Sequence, residues 1–149
     1  MTKAELQAER QKLKPEREVQ KEIRAWLRST GRPYTISDAT KTLNVYGKQV
    51  QRIVSGWPDL TTITGTNARM FCIEVKKPYR GLLSREQALR LRQLHAHGVL
   101  ICIARSLDDV LDAERNGVRA SDLAEIAKTL AKPVKGAYSY KLIDSETGF

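Results

Sequence analysis

The chain has 149 residues, with 26 Lys+Arg against 17 Asp+Glu, a formal charge of +9 and 41% hydrophobic residues. A chain this long buries roughly 70% of the surface its unfolded form exposes, so it is expected to fold as one domain without a disulfide scaffold. The longest apolar run, Val99 to Ala104, is far short of the roughly 20 residues of a membrane span, and the charged N-terminus lacks an apolar h-region. Membrane insertion and secretion are therefore not expected, and the reading is of an intracellular, cytoplasmic protein.

In chain order, Thr2 and Glu5 form a capping box at the start of a charged helix over 2–13 that has no apolar stripe. Residues 1–14 read as a helical arm. Pro15 suits the first turn of a second helix, in which Val19, Ile23, Trp26, Leu27 and Thr30 recur at helical spacing until Gly31 and Pro33 stop it. Tyr34 to Ile36 resembles a short strand, and Val50 to Val54 reads as either a strand or a helical turn.

Leu60 to Thr64 and Arg69 to Lys76 flank Gly65-Thr66-Asn67 and predict an antiparallel hairpin. Ser84 and Gln87 form a second capping box on a helix to His97, with Gly98 past its end. Val99 to Ala104 is a buried strand that the intervening helix makes parallel to the one before it. Ser106 is expected to cap a helix to about Arg115, and Ser121 another to about Ala131. The domain proper spans 15–131, and the tail 132–149 is read as adding an edge strand at Tyr138 to Ile143. The whole predicts an α/β fold with a central mixed sheet flanked by helices.

Cys72 and Cys102 fall inside apolar strands, where a free thiol acts as a small buried hydrophobe, and neither belongs to a paired zinc-binding spacing. Charge is segregated: Arg69 to Arg105 holds eight basic residues and two acids, Glu74 and Glu86, whereas Asp108 to Leu130 holds six acids and three bases. Clustered lysine and arginine suit an anionic partner such as nucleic acid, because neutralised phosphates release counterions.

The chemistry concentrates at Pro58-Asp59 and, after fourteen residues, Glu74-Val75-Lys76. Residues two apart on a strand share a face, so Glu74 and Lys76 point one way while Phe71, Ile73 and Val75 point the other. Asp59 starts the partner strand, and a tight hairpin brings its carboxylate beside Glu74. A carboxylate pair with a lysine suits Mg²⁺ or Mn²⁺, hard cations that bind through one or two carboxylates plus substrate phosphates.

These residues resemble the VRR-NUC domains of the PD-(D/E)xK nuclease superfamily. The likeness rests on Ser55-Gly56-Trp57-Pro58-Asp59-Leu60, Ile73-Glu74-Val75-Lys76, Leu83-Ser84 with Gln87, and His97-Gly98-Val99, spread over most of 15–105. It implies a restriction-endonuclease-like fold. It also implies a metal held by Asp59, Glu74 and the Val75 carbonyl, with Lys76 acting on the attacking water and Gln87 near the site.

The family's helical glutamate corresponds to the segment Glu16-Arg17-Glu18-Val19-Gln20. At about 100° per residue, Glu16 lies roughly 35° from the centre of the apolar stripe and Glu18 about 125° away, so Glu16 is expected to face inward and Glu18 to face solvent. Glu16 thus becomes the expected further carboxylate of the site, in the same cluster or at a second cation. His95 and His97, two apart at a helix end, read as charges suited to a C-terminus rather than as ligands.

Lys77, Arg80 and Arg85 are expected phosphate contacts, which set position and salt dependence without reading bases. The resemblance implies a homodimeric, structure-specific endonuclease acting on branched DNA such as four-way junctions. Two alternatives are a basic DNA-binding protein of nuclease-like fold without turnover and a restriction-like nuclease specific for sequence.

Overall fold

The computed structural model describes residues 1–37, 42–51 and 54–134. The helices are α1 (Lys3–Lys12), α2 (Glu16–Ser29), α3 (Arg85–Ala96), α4 (Leu107–Asn116) and α5 (Ala120–Ala131). The strands are β1 (Thr35–Ile36), β2 (Thr42–Val45), β3 (Lys48–Gln51), β4 (Leu60–Ile63), β5 (Met70–Val75) and β6 (Leu100–Ala104). Among the described residues, no helix is long and apolar enough to cross a membrane.

The main sheet runs β1-β4-β5-β6, antiparallel at its first two pairings and parallel at the third, with Ile36 against Leu60, Leu60 against Ile73 and Ile73 against Cys102. The predicted hairpin and the parallel crossover through α3 are both present. Strand alternation divides the core into two layers. On one face Leu60, Phe71, Ile73, Val75, Leu100 and Cys102 pack with Val19, Ile23 and Leu27 of α2 and with Val110 and Ala113 of α4. On the other, Cys72, Ile101 and Ile103 meet Ala88, Leu91 and Leu94 of α3 and Ile126 of α5. The protein is a mixed α/β fold with helices on both faces of a four-stranded mixed sheet.

Both thiols are buried and free, and burial pushes the Cys72 thiol up to about 11. Both capping boxes form as expected, at Thr2 with Glu5 and at Ser84 with Gln87. Two helix starts differ from expectation. Pro15 is the N-cap of α2 rather than part of its first turn. Arg119, not Ser121, is the N-cap of α5, because Arg119 and Asp122 join a tertiary network. Asp122 Oδ2 accepts from the Ile103 N–H at 3.1 Å, and the Arg119 guanidinium donates to the Asp122 and Asp109 carboxylates and the Ile103 carbonyl. That network fixes where the helix begins, leaving Ser121 exposed inside it.

The segment between β1 and β4 was only partly legible from sequence. It contains a separate hairpin of β2 and β3 turned by Tyr46 and Gly47, both at positive φ. Val50 lies in β3, which answers one part of the Val50 to Val54 ambiguity; residues 52–53 lie outside the described set, as does the edge strand expected at 138–143.

Candidate active site

Two strand ends assemble the site. Carrying the β4–β5 register one step beyond Leu60 and Ile73 sets Asp59 opposite Glu74, on the same face as Cys72 and Lys76. One step further, Pro58 stands opposite Val75. The Val75 peptide faces β4, and its N–H donates to Asp59 Oδ2 at 2.7 Å. Proline has no N–H to return, so at this position the β4 side of the ladder offers the Val75 carbonyl no donor.

The approach of the Asp59 segment to α3 depends on Gly56. Its φ is +78°, and a Cβ there would lie 2.4 Å from the Glu86 carbonyl oxygen. The Ser55 hydroxyl donates to the Glu86 carboxylate, tying the same loop to the first turn of α3. Trp57 Nε1 donates to Thr61 Oγ1 at 3.0 Å, and Ser37 N–H donates to the Asp59 carbonyl at 2.8 Å. The Asp59 backbone is thus held by both a neighbouring strand and a helix.

Glu74 is 1% exposed. Its Oε1 lies 3.6 Å from Lys76 Nζ, and its Oε2 receives no hydrogen bond from any donor among the described residues. Burial first, and then the adjacent Asp59 charge, push the Glu74 carboxyl up to about 9; burial also raises Asp59, against the Val75 N–H that favours its ionised form. Two carboxylates this close in apolar surroundings require a proton or a cation between them.

Lys76 is nearly buried, and its Nζ donates to Gln87 Oε1 at 2.8 Å. The same oxygen accepts the Ser84 N–H at 2.9 Å. Gln87 therefore serves the capping box and the lysine together, joining two roles that the sequence presents as alternatives.

Glu16 reaches the site from the first turn of α2. Desolvation of its carboxyl and then the Asp59 charge raise its pKa, against the pull of Lys76 and Lys77. The expected orientation needs correction: Glu16 is exposed and Glu18 is half-buried. Position along the helix axis explains this. As the first residue of α2, Glu16 precedes the buried stripe of Val19, Ile23 and Leu27 and lies within electrostatic reach of Asp59, Lys76 and Lys77. Among the described residues, no group of three or more His, Cys, Asp or Glu side chains could by itself hold a metal ion. The close carboxylates are a pair, and Glu16 stands apart from them within electrostatic range.

Of the expected phosphate contacts, Lys77 and Arg80 are exposed beside the site. Arg85 is half-buried and donates to the Leu130 carbonyl at 3.1 Å, bracing α3 against α5. The sequence did not single out Arg105, whose Nη2 donates to the Gly81 carbonyl at 2.6 Å and pairs with Glu125 at 2.8 Å. Its only sequence signal was a place in the basic run.

The donor set fits Mg²⁺ or Mn²⁺: two adjacent carboxylates, one with an oxygen that no donor among the described residues takes, and a backbone carbonyl opposite a proline supply hard oxygen ligands, and such ions keep several waters and use substrate phosphates for the rest. It does not suit zinc, which favours nitrogen and sulfur ligands. No family model, curated protein or solved structure matches this chain.

Proposed function

We propose that the protein is a divalent-metal-dependent endonuclease of the PD-(D/E)xK type that hydrolyses DNA phosphodiesters, with branched DNA such as four-way junctions as its substrate. The observation that carries this reading is the buried Glu74 beside the half-buried Asp59, with a Glu74 oxygen that no donor among the described residues takes and a fixed lysine next to it. A fold has little use for such a pair, since it raises the free energy of the empty protein. A catalyst of phosphoryl transfer has a direct use for it.

Asp59, Glu74 and the Val75 carbonyl would hold Mg²⁺ or Mn²⁺. When bound, the ion polarises the phosphoryl oxygen and lowers the pKa of a water. Lys76, restrained by Gln87 and Glu74, keeps its ammonium group where the attacking water and the developing negative charge lie. Lys77 and Arg80 neutralise flanking phosphates, and Glu16 supplies a further carboxylate at the entrance. Water is the nucleophile, so no covalent enzyme intermediate forms. A homodimer that sets two such sites on two strands belongs to the same proposal and rests on the family resemblance.

The test uses end-labelled four-way junction, flap and linear duplex with Mg²⁺ or Mn²⁺, for the unmutated protein and for Asp59→Ala and Lys76→Ala. Junction cleavage that both variants lose supports the proposal. Binding without cleavage by the unmutated protein overturns it in favour of a non-catalytic DNA-binding protein. Discrete fragments from long linear duplex would instead favour a sequence-specific nuclease.

A further inference from the structure

The loop from β5 to α3 carries two large hydrophobic side chains that the core does not use. Tyr79 is 52% exposed and Leu82 69% exposed, and neither joins either core layer. Their exposure does not arise from a loose segment. Leu83 is buried, Arg105 holds the Gly81 carbonyl, and Gly81 is wedged so closely that a Cβ would lie 2.4 Å from the Lys77 carbonyl oxygen and 3.0 Å from Lys76 Cβ. Arg80 adopts φ 59°, a left-handed conformation that a long side chain rarely takes, and its guanidinium lies over the Tyr79 ring 5.1 Å from the centroid. One face of the ring is thus backed by a cation.

This ring is also near the proposed chemistry. Only Lys77 and Pro78 lie between Lys76 and Tyr79, so the Cα atoms of those two residues, three steps apart, lie within about 11 Å, the span of roughly three base steps along one strand. An aromatic face next to exposed Lys77 and Arg80 matches the chemistry of an unstacked nucleobase, whose phosphate the cations bind while its ring stacks. Paired, fully stacked duplex offers no free base face. A branch point does.

We infer that Tyr79, backed by Arg80, is a stacking platform for the unstacked base that flanks the cleaved phosphate at a DNA branch. The inference rests on the nuclease reading of the adjoining site and supplies that site with a means of preferring branched over continuous duplex. Arg80 holds the ring from behind.

The test measures binding in EDTA, where cleavage plays no part. A four-way junction carrying 2-aminopurine at the base next to the branch, and the matching linear duplex, are titrated with the unmutated protein, Tyr79→Ala and Tyr79→Trp. Binding by the unmutated protein should change the reporter's fluorescence. Tyr79→Ala should abolish that change and weaken junction binding about tenfold, leave duplex binding within twofold, and keep the unmutated melting temperature. Tyr79→Trp should restore both signals.

A junction affinity and reporter response unaltered in Tyr79→Ala would overturn the inference, as would equal loss on junction and duplex. The same preparations with Mg²⁺ separate the two claims: a reporter response without cleavage by the unmutated protein would leave the platform standing and remove the nuclease, and cleavage with a silent reporter would do the reverse.

Discussion

The Asp59 carboxylate accepts the Val75 N–H at 2.7 Å, at the point in the β4–β5 ladder where Pro58 stands opposite. One side chain therefore closes the strand pairing and presents its charge to Glu74. Proline's missing donor and aspartate's short reach make that arrangement together. A longer carboxylate would have to bend back to reach the same N–H.

Asp59→Asn keeps an acceptor for that N–H and removes the charge. Cleavage should fall about 10²–10³-fold while the melting temperature holds. Asp59→Ala should lose as much activity and, in addition, leave the Val75 N–H unpartnered, at about 1–3 kcal/mol of stability. Urea unfolding of the two variants separates the charge from the hydrogen bond.

The raised Glu74 carboxyl links stability to pH. Its ordinary value is 4.5 and its folded value about 9, so the folded state holds a proton that the unfolded state releases between those limits. The stabilising contribution is complete below pH 4.5 and is lost as pH rises through 9. Melting curves in EDTA should fall across that interval, and Glu74→Gln should flatten the fall. Divalent metal should raise the melting temperature more at pH 8 than at pH 5.5, because the ion must displace the shared proton.

Gln87 offers a test of positioning. Its Oε1 accepts from Lys76 Nζ and from the Ser84 N–H. Gln87→Ala should slow cleavage about 10–100-fold, with metal affinity close to unmutated, because the lysine loses its restraint while the carboxylates stay. Gln87→Glu keeps an acceptor for both donors and should recover most of the rate. Single-turnover rates and metal titrations on the same preparations check both statements.

Away from the site, the Arg32–Glu114 pair makes a prediction about stability alone. The guanidinium donates to both carboxylate oxygens, and Oε1 also accepts the Gly65 N–H at 3.1 Å. Burial acts to raise the Glu114 carboxyl, but these donors together hold it below its ordinary value. The contribution is therefore complete above pH 4.5 and disappears as pH falls through the lowered value. Glu114→Ala should cost about 1.5–3 kcal/mol at pH 7, and less at pH 3. Chemical denaturation at both pH values measures the difference.

Local rules made much of this architecture readable. The i, i+4 spacing of Val19, Ile23 and Leu27 marks the buried stripe of α2, and the two capping boxes mark helix starts because both partners lie within three residues. The Asp59–Glu74 juxtaposition follows from strand alternation and a short hairpin. What escaped the sequence depends on distant partners. Arg119 displaces Ser121 as a cap because Asp109 and Ile103 meet it in three dimensions, and Arg85 turns to Leu130 across a helix interface. The β2–β3 hairpin was hidden because its turn places Tyr46 at positive φ, where glycine or asparagine would have signalled it. The helical wheel judged the angle of Glu16 and ignored its place on the axis.

The most direct measurement is single-turnover cleavage of an end-labelled four-way junction by protein stripped in EDTA and then supplied with Mn²⁺, for the unmutated chain and Glu74→Gln. Metal-dependent hydrolysis through Glu74 requires no product in EDTA, rapid product after Mn²⁺ with the unmutated chain, and a loss of about 10²–10³-fold in the folded Glu74→Gln variant. Cleavage that persists in EDTA, or that Glu74→Gln leaves intact, would contradict it.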